Sequence, residues 1–203
     1  ASGSREDRPE GRRGKGCFPG KLGMQSLHAG SAAIFKMGLT AQKGISEMTN
    51  ILFVCHGNIC RSPMAEYVMK NLVKKAAMGH LFHIASAATS REEIGNPVYP
   101  PAQKKLAEHG ISCTGHAARQ LTSCDYADYD LLIGMDQANV HNMRRIFCGD
   151  PAEKIHLLME YAGQPGQEVA DPWYTRDFEA TWRDVSVGCQ GLLDYLGRLW
   201  GVL

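Results

Sequence analysis

A cysteine and an arginine separated by five residues, Cys55 and Arg61, sit in the stretch Val54-Cys55-His56-Gly57-Asn58-Ile59-Cys60-Arg61-Ser62-Pro63. A thiolate is a nucleophile, and a guanidinium offers a planar fork of donors that matches two oxygens of a phosphoryl group. The pair therefore suits attack on phosphorus, with Arg61 also holding the charge that builds on the equatorial oxygens. Gly57 and Asn58 suit a tight loop, because both tolerate positive φ. Ser62 follows directly, and its hydroxyl can donate to the Cys55 sulfur as phosphate leaves it.

The same letters have blander uses. A cysteine at a strand end is usually a small buried hydrophobe. Cys55 with Cys60 is also half of a zinc site, but a second pair at suitable spacing is missing. A nucleotide-binding loop would end in Gly-Lys-Ser/Thr, which is absent here. The surrounding elements favour the nucleophile. Ile51, Leu52, Phe53 and Val54 form a continuous apolar run suited to a strand buried on both faces. Beyond the loop, Met64, Ala65, Val68, Leu72 and Val73 recur at spacings of three and four, which predicts a helix starting near Arg61. Backbone N–H groups of a loop that wraps into a helix start converge on one spot and, with the helix dipole, make an anion site. That field also favours the thiolate form of a cysteine placed there.

The rest of the chain repeats the strand–helix alternation, the signature of a parallel sheet in an α/β fold. Phe82, Ile84 and the small residues to Ala88 read as a second strand. Pro100 to His109 reads as a helix with proline at its start and Gly110 beyond its end. Leu131, Leu132 and Ile133 give a third strand, followed by a helix that Asp136 can cap. Ile155, Leu157 and Leu158 give a fourth. From about Phe178 to Leu199, a stripe of Trp182, Val185, Cys189, Leu192, Leu193 and Leu196 predicts a long amphipathic helix.

Bulk properties bound the class. The chain has 203 residues, 44% hydrophobic and 21% charged, with a formal charge of +1. That fits one soluble domain with a core, without the roughly 20 continuous apolar residues of a membrane span. Near-neutral charge gives no electrostatic reason to expect nucleic acid or an anionic membrane as partner. Seven irregularly spaced cysteines read as reduced thiols. No secretory signal is recognisable, so a cytoplasmic location is expected. Residues 1–47 differ from the remainder: eight basic side chains face four acidic ones, and glycine and serine interrupt every apolar run. This segment reads as a disordered or appended leader, and 48–203 as the folded domain.

Val54 to Glu66, Val-Cys-His-Gly-Asn-Ile-Cys-Arg-Ser-Pro-Met-Ala-Glu, resembles the signature of the low-molecular-weight protein-tyrosine phosphatases of bacterial type. Ala170-Asp171-Pro172-Trp173-Tyr174 resembles that family's acid loop. Ser86–Ser90, Gly115–Leu121 and Asp130–Asn139 fit as well, so the similarity spans about 50–203. The resemblance implies a flavodoxin-like three-layer sandwich, with a four-stranded parallel sheet of order 2-1-3-4 and the phosphate loop after the first strand. It implies hydrolysis of phosphotyrosine in proteins through a phosphocysteine on Cys55, with His56, Gly57, Asn58, Ile59, Cys60 and Arg61 around the phosphate. The leaving phenoxide needs a positioned acid, and the resemblance assigns this to Asp171, which then acts as base toward water. Pro172 biases Asp171 away from helix, as a loop over a pocket requires.

The same resemblance implies that Asn58, Ser62, Ser86 and His116 hold the loop from within and beneath. It makes Cys60 the neighbour that traps oxidised Cys55 as a reversible disulfide. Trp173 and Tyr174, with Glu92, Ile94 and nearby residues of the 91–99 loop, should wall the cleft, aromatic walls suiting a phosphotyrosine ring. Tyr99 and Trp182 read as packing residues, and capping suffices to explain Asp136. The implied partners are tyrosine-phosphorylated proteins, with the chain a monomer or weak homodimer and neither metal nor other cofactor required. Two features depart from the pattern: Arg176 stands where many bacterial relatives have glycine, and the surroundings of Glu92 lack the aromatic of mammalian members. Alternatives on the same fold are a protein-arginine phosphatase, which has threonine where Ile59 stands, and a thiol-dependent arsenate reductase, which needs a further close cysteine pair. A phosphocysteine carrier of sugar uptake is disfavoured by Arg61 together with Asp171.

Overall fold

The apolar run before Cys55 forms the central strand, β1 (Thr49–Cys55), in a computed structural model that describes residues 48–201. The expected leader, 1–47, lies outside the described residues. Strands β2 (Phe82–Ala88) and β3 (Leu131–Gly134) pair with β1 on either side, and β4 (Ile155–Leu157) pairs with β3. All pairings are parallel and the order is 2-1-3-4, as expected. Ile51 faces Ile84 and Leu131 across the ladder, while Cys55 at the end of β1 is level with Ala88.

Alternation along β1 divides the core in two. Ile51 and Phe53 join Leu131 and Ile133 under the helices α1 (Arg61–Lys75), α2 (Pro100–Glu108) and α6 (Phe178–Trp200). Leu52 and Val54 join Leu132, Ile155 and Leu157 under α4 (Gln137–Ile146), which contributes Val140 and Met143. The sheet is thus covered on both faces, and each fully buried side chain of β1 stabilises the fold by about 1.5–3 kcal/mol. The chain leaves β1 toward β2 and later crosses to β3, so a crevice opens at the carboxyl end of β1, where α/β folds bind ligands.

Local differences from expectation have identifiable causes. Leu158 begins a short 3₁₀ turn (Leu158–Glu160) instead of extending β4, yet stays buried. On α1, Met69 is fully buried and Leu72 only partly, because α1 lies between the sheet and α6 and buries a wider face than one stripe. Two one-turn helices, α3 (Asp125–Asp128) and α5 (Pro172–Thr175), were not expected, being too short to show periodicity. Trp182 and Tyr99 pack as expected: Trp182 stacks on His109 at 3.8 Å, and Tyr99 lies against Trp173 and Phe178.

Helix α6 approaches its neighbours through glycine. A Cβ at Gly191 would lie 2.1 Å from the Tyr161 carbonyl oxygen. Elsewhere in a helix, glycine to alanine stabilises by up to about 1 kcal/mol. Gly191→Ala should do the reverse, costing about 1–3 kcal/mol or more through overpacking, which urea unfolding would read as a lower midpoint. Between β2 and β3, Asp125 accepts from both Arg119 guanidinium nitrogens at 2.9 and 3.1 Å and from the Thr122 N–H and hydroxyl. Burial alone would raise the Asp125 carboxyl, but these donors more than offset it and hold it below the ordinary 3.8. Its stabilisation is therefore complete above about pH 4 and fades as pH falls through the lower folded value. Asp125→Asn should flatten that acid-side slope in urea unfolding followed against pH; an unchanged slope would place the linkage elsewhere.

Candidate active site

Helix α1 has no side-chain cap and no acidic residue in its first turn. By contrast Asp136, Asp171 and Asp177 cap α4, α5 and α6. The first-turn donors of a helix have no intrahelical partners, so the start of α1 offers its positive end to whatever occupies the cleft. Cys55, only 3% exposed, stands there at the end of β1. Its sulfur accepts from the Asn58 N–H at 3.3 Å and lies 3.0 Å from the Ser62 hydroxyl. The loop turns back through Asn58 at φ +59°.

Beneath the loop a chain of hydrogen bonds has a definite direction. The Arg119 N–H donates to Asn58 Oδ1 at 3.1 Å, which fixes the amide orientation. Asn58 Nδ2 then donates to Ser62 at 2.9 Å and to Ser86 at 2.7 Å. Ser86 in turn donates to the buried Glu66 carboxylate at 2.5 Å, and Lys70 pairs with the other oxygen. With its oxygen accepting from Asn58, Ser62 has its proton free, and the sulfur at 3.0 Å is nearer than the Ala87 carbonyl at 3.5 Å. His116 supports the same residue from outside, donating Nε2–H to the Asn58 carbonyl at 2.8 Å. Asn58, Ser62, Ser86 and His116 thus meet in one network at the loop. Glu66, at the end of the 54–66 stretch, joins them with Lys70 and Arg119, residues to which the sequence assigned no role.

Arg61 is 4% exposed and carries two carboxylates: Nη1 donates to Asp136 at 2.6 Å, and Nη2 pairs with Asp171 at 2.6 Å. Burial opposes its charge, but Cys55, Asp171 and Asp136 more than compensate, so its pKa lies above the ordinary arginine value. Asp136 does more than the capping first assigned to it. One oxygen caps α4 through the Asn139 N–H and the other steadies the guanidinium. Asp171, in extended backbone ahead of Pro172, accepts from the Trp173 N–H at 2.9 Å and so caps α5.

These residues line a cleft of about 200 Å³. Cys55, Gly57, Ile59, Cys60, Arg61 and Asp171 line it, and Trp173 and Tyr174 give it an aromatic wall. His56 also lines it, its ring turned outward to Glu92 at 3.1 Å. Asn58, expected around the phosphate, is fully buried beneath the loop and reaches the sulfur through its backbone. Ile94 does not belong to the cleft: it is 55% exposed and absent from the lining, which turns inward one residue earlier, at Glu93. A turn with Ile94 N–H directed to the Arg91 carbonyl carries it away. Cys60 lies in the cleft beside Cys55, and neither is in a disulfide. Burial above all, then the charges of Cys55 and Asp171, pushes the Cys60 thiol up to about 12, so it remains protonated at neutral pH. Among the described residues, no group of His, Cys, Asp and Glu is arranged to hold a metal ion.

Comparison with known proteins meets this geometry. The family model for low molecular weight phosphotyrosine protein phosphatase matches residues 50–199. The low molecular weight protein-tyrosine-phosphatase YfkJ of Bacillus subtilis is 37% identical over 147 residues, 72% of this chain and 94% of that protein. Its crystal structure superposes with a TM-score of 0.73, covering 76% of this chain and 98% of that one at 36% identity. A low molecular weight phosphotyrosine protein phosphatase of Gallus gallus is 38% identical, over 73% of this chain and 96% of its own. The crystal structure of a Drosophila arginine phosphatase is also similar, at 28% identity and a TM-score of 0.66, covering 73% of this chain and 98% of that one. With the phosphate loop, the sheet order and this match in agreement, the chain belongs to the low molecular weight phosphotyrosine protein phosphatase family.

Proposed function

We propose that residues 48–203 form a domain that hydrolyses phosphotyrosine in proteins through a phosphocysteine on Cys55. The observation that carries this reading is the convergence of three groups on one cleft: a buried sulfur at an uncapped helix start, a guanidinium, and a carboxyl on an adjacent loop. The phosphate would sit on the loop amides and the Arg61 fork, taking the Nη2 position that Asp171 holds here. Asp171, released, then faces the leaving group. Sulfur attacks phosphorus, the bond to the phenolic oxygen breaks, and the Asp171 carboxyl gives that oxygen its proton. In the second step the Asp171 carboxylate takes a proton from water, the water oxygen attacks phosphorus, and the phosphorus–sulfur bond breaks. Sulfur departs as thiolate toward the Ser62 hydroxyl.

The depth of the cleft supports an aryl phosphate, since a phosphorus above a sulfur only 3% exposed needs a long side chain behind it. Ile59, apolar and β-branched in the lining, supports tyrosine over arginine. Cys60, protonated beside the nucleophile, fits the part of a partner for oxidised Cys55. Tyrosine-phosphorylated proteins in the cytoplasm, met by a monomer or weak homodimer, complete the proposal. The described residues contain no helix long and apolar enough to cross a membrane.

Cys55→Ser should abolish turnover of phosphotyrosine peptides, and a labelled aryl phosphate quenched in acid should leave its phosphate on residue 55 of the native chain. Asp171→Ala should slow hydrolysis by about 10²–10⁴ for a poor leaving group; an undiminished rate would remove the acid from that residue. Parallel assays with phosphoarginine peptides and with arsenate separate the alternatives, and phosphotyrosine should dominate. Near neutral pH, iodoacetamide should alkylate Cys55 well before Cys60, as read by peptide mapping; the reverse order would contradict the assignment of the nucleophile.

A further inference from the structure

The two walls of the cleft differ in charge. Trp173 and Tyr174 make one of them. The other comes from Glu92 and Glu93, and Glu93 is held in place. A Cβ on Gly57 would lie 3.2 Å from the Glu93 Cγ, and Asn96 Nδ2 donates to the Glu93 carboxylate at 2.7 Å. Glu92, paired with His56, extends the wall outward. Among the residues lining the cleft, Arg61 is the only permanent cation, and it is buried with two carboxylates already on it. Neither nearby arginine pairs with Glu93: Arg91 donates to Gln120 at 3.0 Å, and Arg176 lies against Trp173 on the aromatic side.

A phosphotyrosine with its phosphate on Arg61 and its ring along Trp173 would carry its flanking residues past these carboxylates. We propose that Glu93, extended by Glu92, makes the cleft select phosphotyrosines flanked by Lys or Arg over those flanked by Asp or Glu. The inference rests on the phosphotyrosine reading and names the substrate class of that same site. Exposed charge pairs each change affinity by about 1.5- to 5-fold, so two carboxylates give a preference of roughly three- to tenfold between matched peptides. Screening reduces it, because the Debye length contracts to about 3 Å in 1 M salt.

The test compares kcat/KM for phosphotyrosine peptides that differ only in having Lys, Ala or Asp beside the phosphotyrosine. The native chain should rank them in that order at low ionic strength and lose most of the difference in high salt. Glu93→Gln should halve the ratio of basic to acidic peptide or more, Glu92→Gln/Glu93→Gln should bring it near one, and Glu93→Lys should invert it. Using a ratio removes any effect of the variants on overall rate. Equal kcat/KM for all three peptides, or a ratio indifferent to both substitutions, overturns the proposal and leaves the phosphatase reading intact. Absence of turnover with every peptide would instead strike the phosphatase reading. The charge preference would then be decided by the affinity of the same peptides for Cys55→Ser, read by fluorescence polarisation, where equal affinities overturn it.

Discussion

The arrangement depends on one unsatisfied helix end. An α-helix start leaves four N–H donors without partners. Three of the longer or shorter helices here resolve this with an aspartate, but α1 leaves it to the cleft. Placing a sulfur at that point, at the end of a largely buried strand, brings the proposed nucleophile and the helix-start donors together in one feature. A capping carboxylate on α1 would compete for the same position, so the absence of an acidic residue in its first turn belongs to the design as much as Cys55 does.

Such a loop needs support, because its backbone points inward and Asn58 takes a left-handed conformation. Support comes from buried polar groups, which are costly unless satisfied. Each acceptor in the chain from Asn58 through Ser86 to Glu66 is matched by one donor. The anionic end at Glu66 sets the direction, so Ser62 has a proton to offer the sulfur instead of seeking one from it. Lys70 balances the charge of Glu66 from the surface side.

Around Arg61 the balance is electrostatic. Two carboxylates hold a buried guanidinium, and they have unequal prospects. Asp136 is fixed by its second duty at the start of α4, whereas Asp171 sits on a one-turn helix at the cleft edge. An incoming phosphate can therefore replace one of them and keep the other. The anion site is built from the donors of the α1 start and the Arg61 guanidinium, while its mouth carries Glu92 and Glu93, so phosphate and flanking peptide meet different groups.

The strands, the long helices and the Cys55–Arg61 pair were legible in the sequence, because these are local signals: an apolar run, a repeat of three and four, a spacing of five residues. The family was legible as well, since the phosphate loop and the Asp171-Pro172 segment are contiguous motifs. Which distant groups meet that loop became visible only in the folded chain. Asp136 looked like a helix cap and proved to hold Arg61 as well, because only folding brings residues 61 and 136 within 2.6 Å. Glu66 and Arg119 stand inside matched stretches and Glu93 in the loop beside Glu92, yet their parts follow only from packing against Ser86, Asn58 and Gly57. Ile94 shows the converse: Glu92 and Glu93 line the cleft, but a tight turn reverses direction within one residue, and no pattern of side-chain types records which way it faces.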